Sequence, residues 1–171
     1  MTTVQQVYEV MQRLAPPELA EHWDNPGLLV DCGGEVRRVL VTLDITPEVV
    51  AEAAAKQCTV IVAHHPVIFD PLKRLCPADV SYQLVQAGIS AICMHTNLDA
   101  ADGGVNDCLA HALGLSGLSM LNEEKIGRIG TLSCEIPLEE FLPAVVKSLG
   151  CSGLRFRDGG KPVHRVAVGG G

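Results

Sequence analysis

The order of apolar runs along the chain predicts an α/β protein, with a largely parallel sheet flanked by helices. Three observations carry this expectation. Short runs rich in Val, Ile and Leu recur at residues 39–43, 59–63 and 89–94. Stretches of helical periodicity separate them, and strand–helix–strand alternation places strands side by side in parallel with helices on both faces. The composition agrees: 171 residues, 47% hydrophobic and 19% charged, can bury a core as one domain. Aromatic residues make up only 4%, so Val, Leu, Ile and Ala must fill that core.

Each element has its own local reason. Val4, Val7, Tyr8, Met11 and Leu14 fall at helical spacing and stop at Pro16-Pro17, which predicts an opening amphipathic helix. Trp23-Asp24-Asn25-Pro26-Gly27 is a dense turn signal before the apolar run Leu28-Leu29-Val30, and Asp31-Cys32-Gly33-Gly34 is a second turn. Residues 39–43 read as a strand ending at Asp44. Thr46 is a good N-cap and Pro47 a good first helical residue for a helix through Val49, Val50, Ala53 and Ala54. Residues 59–63, bounded by His64-His65 and Pro66, read as a strand buried on both faces. A loop from Pro66 to Pro77 leads to a short helix around residues 80–86 that Gly88 closes. Residues 89–94 form the next strand, and Gly103-Gly104 opens a helix through Val105, Leu109 and Leu113. The last third differs in texture: a strand at 129–136, a helix through Phe141, Leu142, Val145, Val146 and Leu149, and strands at 154–156 and 163–168. The chain then ends at Gly169-Gly170-Gly171. An apolar strand running into glycines ordinarily leads to a further helix, so a fragment or natural short form of a longer protein is expected.

A formal net charge of −7 argues against nucleic acid as a partner, since phosphate binding wants clustered Lys and Arg. The first six residues lack a basic stretch followed by an apolar core, and no run approaches the roughly 20 apolar residues of a membrane helix. A cytoplasmic protein with no membrane partner is expected. Seven cysteines without a C-x-x-C pair argue against a disulfide framework or a zinc knuckle, and read as buried small hydrophobes.

The chemistry collects at strand ends. His64 and His65 close one strand, Asp44 another, and His95 with Asp99 follows a third. The carboxyl ends of parallel strands share one edge, so residues about 30 positions apart in sequence can converge there. Imidazole mixed with carboxylate suits Zn, Mn, Fe, Co or Ni better than Ca or Mg. Simpler readings stand beside these. Asp44 could only cap the following helix. His95 could be a supporting or substrate contact, or a strand-end histidine whose hydrogen bonds are satisfied. Asp99 or Asp102 could shape the turn before Gly103-Gly104, and that glycine pair is weak evidence for an anion site. His22, His111 and His164 have no companions and read as surface residues.

Four segments taken together, Trp23-Asp24-Asn25-Pro26-Gly27-Leu28, Leu43-Asp44-Ile45-Thr46-Pro47, His64-His65-Pro66-Val67-Ile68-Phe69 and His95-Thr96-Asn97-Leu98-Asp99, resemble the dinuclear-metal-centre family. Its bacterial members carry the name GTP cyclohydrolase 1 type 2 homologue. Ile126-Gly127-Arg128-Ile129-Gly130 continues the match, so the resemblance covers nearly the whole chain. It implies the first α/β half of a two-half Nif3-like fold plus the start of the second. Residues 1–125 would be the metal-binding half, and 126–171 a connecting region with the second half's first strand. It further implies two divalent cations between the halves, a toroidal homohexamer for the complete protein, and a small-molecule, nucleotide-type substrate. By motif match His64 binds one metal, while His65 and Asp99 bind the other. The family's remaining His and Glu, one helical turn apart, have no counterpart before the last residue. The expectation is therefore weak binding of at most one metal by this chain and of two by a complete form. The implied activity is that of a metal-dependent hydrolase using metal-activated water. The alternative is a metal-binding scaffold, chaperone or regulatory protein without turnover.

Overall fold

The computed structural model describes residues 1–123 and 126–170. Two compact units divide the chain, Met1–Ala101 and Asp102–Gly171. The expected boundary after residue 125, and the final Gly171, lie outside the described residues.

The first unit is a three-layer α/β sandwich. Helix α1 (Val4–Leu14) begins with a capping box: Thr3 Oγ1 accepts from Gln6 N at 3.2 Å, and Thr3 N donates to Gln6 Oε1 at 3.0 Å. Pro16-Pro17 ends the helix and starts a 3-10 turn, Pro17–Leu19. Strands β1 (Gly27–Val30), β2 (Val39–Thr42), β3 (Val60–Ala63) and β4 (Ser90–Cys93) form one sheet in the order β1-β4-β3-β2. The crossovers are α2 (Pro47–Ala55) and α3 (Val80–Ala87), and they make β2, β3 and β4 parallel. The largely parallel sheet expected from sequence is therefore present. The run Leu28-Leu29-Val30 adds an antiparallel edge strand, β1 against β4.

Alternation along β3 and β4 explains the two helical layers. Val60, Val62 and Ile92 face α1, where Val4, Ala15 and Met94 join them. Ile61 and Ala91 face the other way, packing with Val50 and Ala53 of α2 and Leu84 of α3. Thr46 caps α2 as expected, its Oγ1 accepting from Val49 N at 3.4 Å, and Gly88 ends α3 in the left-handed region at φ +67°. Beyond β4 the chain leaves the sheet at Met94 and His95. It turns at once into a short helix, α4 (Thr96–Ala100), whose Thr96, Asn97 and Asp99 are buried.

The second unit holds α5 (Val105–Ala112), β5 (Ser116–Met120), β6 (Arg128–Ile136), α6 (Leu138–Leu149) and β7 (Val163–Val168). Its sheet is antiparallel in the order β5-β6-β7 and packs Ala110, Leu115 and Val168 into a small core. Arg128 is buried and paired with Asp107, which also accepts from Gly103 N at 2.6 Å. Strand β5, Ser-Gly-Leu-Ser-Met, carried no strand signature. Conversely, Leu154-Arg155-Phe156 forms no strand: a run of three residues is too short to gain a ladder, and Phe156 stays exposed. The cysteines divide. All are free thiols; Cys58 and Cys93 are buried, but Cys76, Cys108 and Cys134 are exposed, so burial does not account for all seven.

Candidate metal centre

The ends of β3 and β4 and the start of α4 bring three imidazoles together. His64 and His65 follow β3 directly, and the backbone amide of each donates back to the β2 end, to the carbonyls of Thr42 and Leu43 respectively. His95 sits between β4 and α4, where Asn97 Oδ1 accepts from its N at 2.9 Å. The rings form a nearly equilateral triangle, with centroids 5.1, 5.2 and 5.7 Å apart. One nitrogen from each of His64, His65 and His95 lies within 4.8 Å of the others, the grouping of potential metal donors found among the described residues.

Each ring is held by an oxygen at its Nδ1. His64 Nδ1 lies 2.9 Å from the Met94 carbonyl. A carbonyl can only accept, so His64 carries its proton on Nδ1 and keeps the Nε2 lone pair free for a cation. His65 Nδ1 meets Asp44 Oδ1 and His95 Nδ1 meets Asp24 Oδ1, both at 2.7 Å. Oxygen partners of this kind fix the tautomer and the angle of metal-ligating histidines.

The two carboxylates differ in setting. Asp44 is exposed, at the rim. The Asp24 side chain is 0% exposed and accepts from Thr96 N at 3.1 Å, from the Thr96 hydroxyl and from Asn25 N at 2.7 Å. Burial alone would push the Asp24 carboxyl up, but the hydrogen bonds from Thr96, His95 and Asn25 outweigh it and hold it below its ordinary value. Asp24 is thus an ionised anchor. Thr96 is itself anchored, its Oγ1 accepting from Glu21 N at 3.0 Å, and Asn97 Nδ2 donates to the Ala15 carbonyl at 2.9 Å.

Asp99 is 4% exposed, and its Oδ1 lies 3.8 Å from His64 Nε2. Burial pushes its carboxyl up, and the neighbouring histidines only partly bring it back. A buried carboxylate beside three imidazole nitrogens is a donor set that a divalent cation satisfies in both charge and ligand type. The residues present therefore fit a transition metal of the imidazole–carboxylate class.

Of the residues singled out from sequence, His64, His65 and His95 come together, Asp99 stands beside His64, and Asp44 supports His65. Asp44 does not cap α2, since Thr46 does. His22, His111 and His164 are exposed, as read from sequence. Two supports escaped that reading, Asp24 and the Met94 carbonyl. Asp24 stands in Trp-Asp-Asn-Pro-Gly, which reads as turn chemistry, and a backbone carbonyl has no sequence signature at all.

The Duf34/NIF3 (NGG1p interacting factor 3) family pattern matches residues 2–171. A GTP cyclohydrolase 1 type 2 homolog of Lactococcus lactis is 35% identical over 170 residues, which span 94% of this chain and 66% of that protein. A protein of the same name from Staphylococcus epidermidis is 38% identical over 123 residues, 70% of this chain and 34% of its own length. The chain thus spans two thirds or less of these relatives. The crystal structure of Staphylococcus aureus protein SA1388 superposes with a TM-score of 0.90 at 27% identity, covering 99% of this chain and 73% of that one. On sequence and fold together, this chain belongs to the Duf34/NIF3 family.

Proposed function

We propose that His64, His65, His95 and Asp99 hold divalent transition-metal ions, two in the whole protein, and that the whole protein is a metal-dependent hydrolase. The observation that supports this best is the common plan of the three imidazoles, each with Nδ1 held by a protein oxygen and a nitrogen turned into shared space. By the family resemblance His64 serves one ion, His65 and Asp99 the other; His95 is near enough to both rings to join either. Zn, Mn, Fe, Co and Ni all suit such donors.

A bound ion of this kind supplies Lewis acidity, lowering the pKa of water and polarising an electrophilic centre. The residues of the chain supply position and charge. Asp24 keeps the His95 proton on Nδ1 and stops the ring turning, and Asp44 does the same for His65. The Met94 carbonyl does so for His64. Asp99 brings negative charge to a place from which water is largely excluded, where it offsets the cations.

All of these groups lie in the unit Met1–Ala101, inside residues 1–125, which the resemblance makes the metal-binding half, with 126–171 as the passage into a second half. The substrate is a small molecule of nucleotide type, the class that the relatives' names suggest, and the whole protein is a homo-oligomer, a toroidal hexamer by resemblance. None of the described helices is long and apolar enough to cross a membrane, and we place the protein in the cytoplasm.

The test is metal content after dialysis against Zn or Mn, together with a hydrolysis screen that includes GTP, on the whole protein as parent and on its His64→Ala variant. The parent should bind metal and turn over substrate; His64→Ala should lose both while its circular dichroism is unchanged. A parent that binds no metal overturns the proposal. Metal binding without turnover replaces the hydrolase by the metal-binding scaffold.

A further inference from the structure

Beside the imidazole triangle stand two large aromatic side chains that the metal chemistry does not use. Trp23 is 52% exposed and Phe69 47% exposed, and their ring centroids lie 6.2 Å apart at an interplanar angle of 44°. Trp23 also meets His95 edge-on, at 6.5 Å and 81°. Neither contact is a flat stack.

The exposure of Trp23 does not come from a loose backbone. The side chain of the next residue, Asp24, is fully buried in the hydrogen bonds that orient His95 and Thr96. The residue after that, Asn25, donates from Nδ2 to the Ile68 carbonyl at 2.7 Å, tying the segment that carries Phe69 to the turn that carries Trp23. The same turn therefore positions a ligand of the metal centre and both aromatic rings. Holding a large apolar side chain in water on so well-anchored a turn gains nothing for folding. It does provide a flat π surface a ring's width from the imidazoles.

We propose that Trp23, with Phe69 beside it, is a stacking platform for a planar nitrogen heterocycle whose polar substituents reach the His64–His65–His95 cluster. This rests on the reading of that cluster as a metal-dependent hydrolytic centre, and it names the part of the substrate that the chain recognises. Stacking tolerates any flat π system, so the platform selects ring compounds over open-chain or sugar ligands and leaves the choice among rings to other contacts.

Trp23 is the only tryptophan in the chain, so its emission reports on the platform directly. Guanosine, adenosine, cytidine and nicotinamide are titrated one at a time, with ribose 5-phosphate as the ring-free control, with and without Zn. At least one ring compound should quench the emission saturably, and ribose 5-phosphate should not. By equilibrium dialysis, Trp23→Leu should bind that compound about 10-fold more weakly or worse, as expected for a lost base–aromatic stack. Trp23→Phe should stay within about 3-fold of the parent, since a smaller ring still stacks. Phe69→Leu should show an intermediate loss. Absence of saturable quenching by all four ring compounds overturns the platform. So does equal quenching by ribose 5-phosphate, or a Trp23→Leu variant that binds like the parent. Metal content is measured on the same samples: a parent that binds ring compounds but no metal overturns the metal-centre reading and leaves the platform standing.

Discussion

A histidine whose Nδ1 proton goes to a backbone carbonyl has one nitrogen left to offer, and the Met94 carbonyl makes that choice for His64. Asp24 makes it for His95 with a full negative charge in a buried place, so its removal should be felt at the proposed metal site. Asp24→Ala is expected to weaken metal binding about 10–100-fold, read by competition against a chelator. Asp44→Ala should cost less, because the Asp44–His65 pair lies exposed at the rim, where water replaces a lost partner. Asp24 should also shape the acid limb of stability. Its folded pKa lies below its unfolded value, so the unfolded chain binds the proton more readily. The stabilisation is then present above about pH 4 and fades as the pH falls through the lowered pKa. Urea melts of the parent and Asp24→Asn should therefore differ most near neutral pH and converge in acid. At this scale His64, His65, Asp99 and His95 were legible, because imidazoles and a carboxylate at strand ends have few structural duties. Asp24 was not, because one side chain can look like turn chemistry and act as an anchor.

Among the elements, glycine at the start of β6 has a packing reason. A Cβ on Gly127, at φ +82°, would stand 2.8 Å from the Val168 carbonyl oxygen. One on Gly130 would stand 2.7 Å from Leu118 Cδ2 and 3.0 Å from the Ser116 carbonyl oxygen, both on β5. Because backbone cannot yield as a flexible side chain can, Gly130→Ala is expected to cost about 1–3 kcal/mol in denaturant unfolding of the chain. On α2, Thr46→Ala should cost about 1 kcal/mol by the same measurement, through one lost N-cap. Strands β2, β3 and β4 and helices α1, α2, α3, α5 and α6 were readable from sequence because each is long or apolar enough to show a period or a cap. Helix α4 and strand β5 were hidden. Five residues, Thr-Asn-Leu-Asp-Ala, make little more than one helical turn, and Ser-Gly-Leu-Ser-Met has the composition of a loop. What makes them regular is tertiary: the buried hydrogen bonds of Thr96 and Asn97, and the β6 edge available to β5.

For the whole molecule, the sheet order leaves β2 at an edge with apolar residues in water. Val39 and Val41 are exposed, Val41 at 78%, on the side of the sheet that Val60 and Val62 share with α1, and Leu43 just beyond the strand is exposed too. An apolar edge of this kind suits the proposed assembly of copies and otherwise invites aggregation. Val41→Glu is expected to reduce the molar mass seen by light scattering while leaving the circular dichroism unchanged; an unaltered mass would remove β2 from the interface. Sequence by itself determined the α/β class, the largely parallel sheet, the family and most of the side chains that form the candidate metal centre. These follow from local periodicity, from caps, and from residue types gathered at strand ends by a parallel topology. Only the tertiary structure decided how the imidazoles are aimed, that Asp24 anchors the third of them, and that Trp23 and Phe69 stand beside the cluster. Those facts depend on contacts between residues as far apart as Asp24 and His95, or Asn25 and Ile68, which no pattern along the chain records.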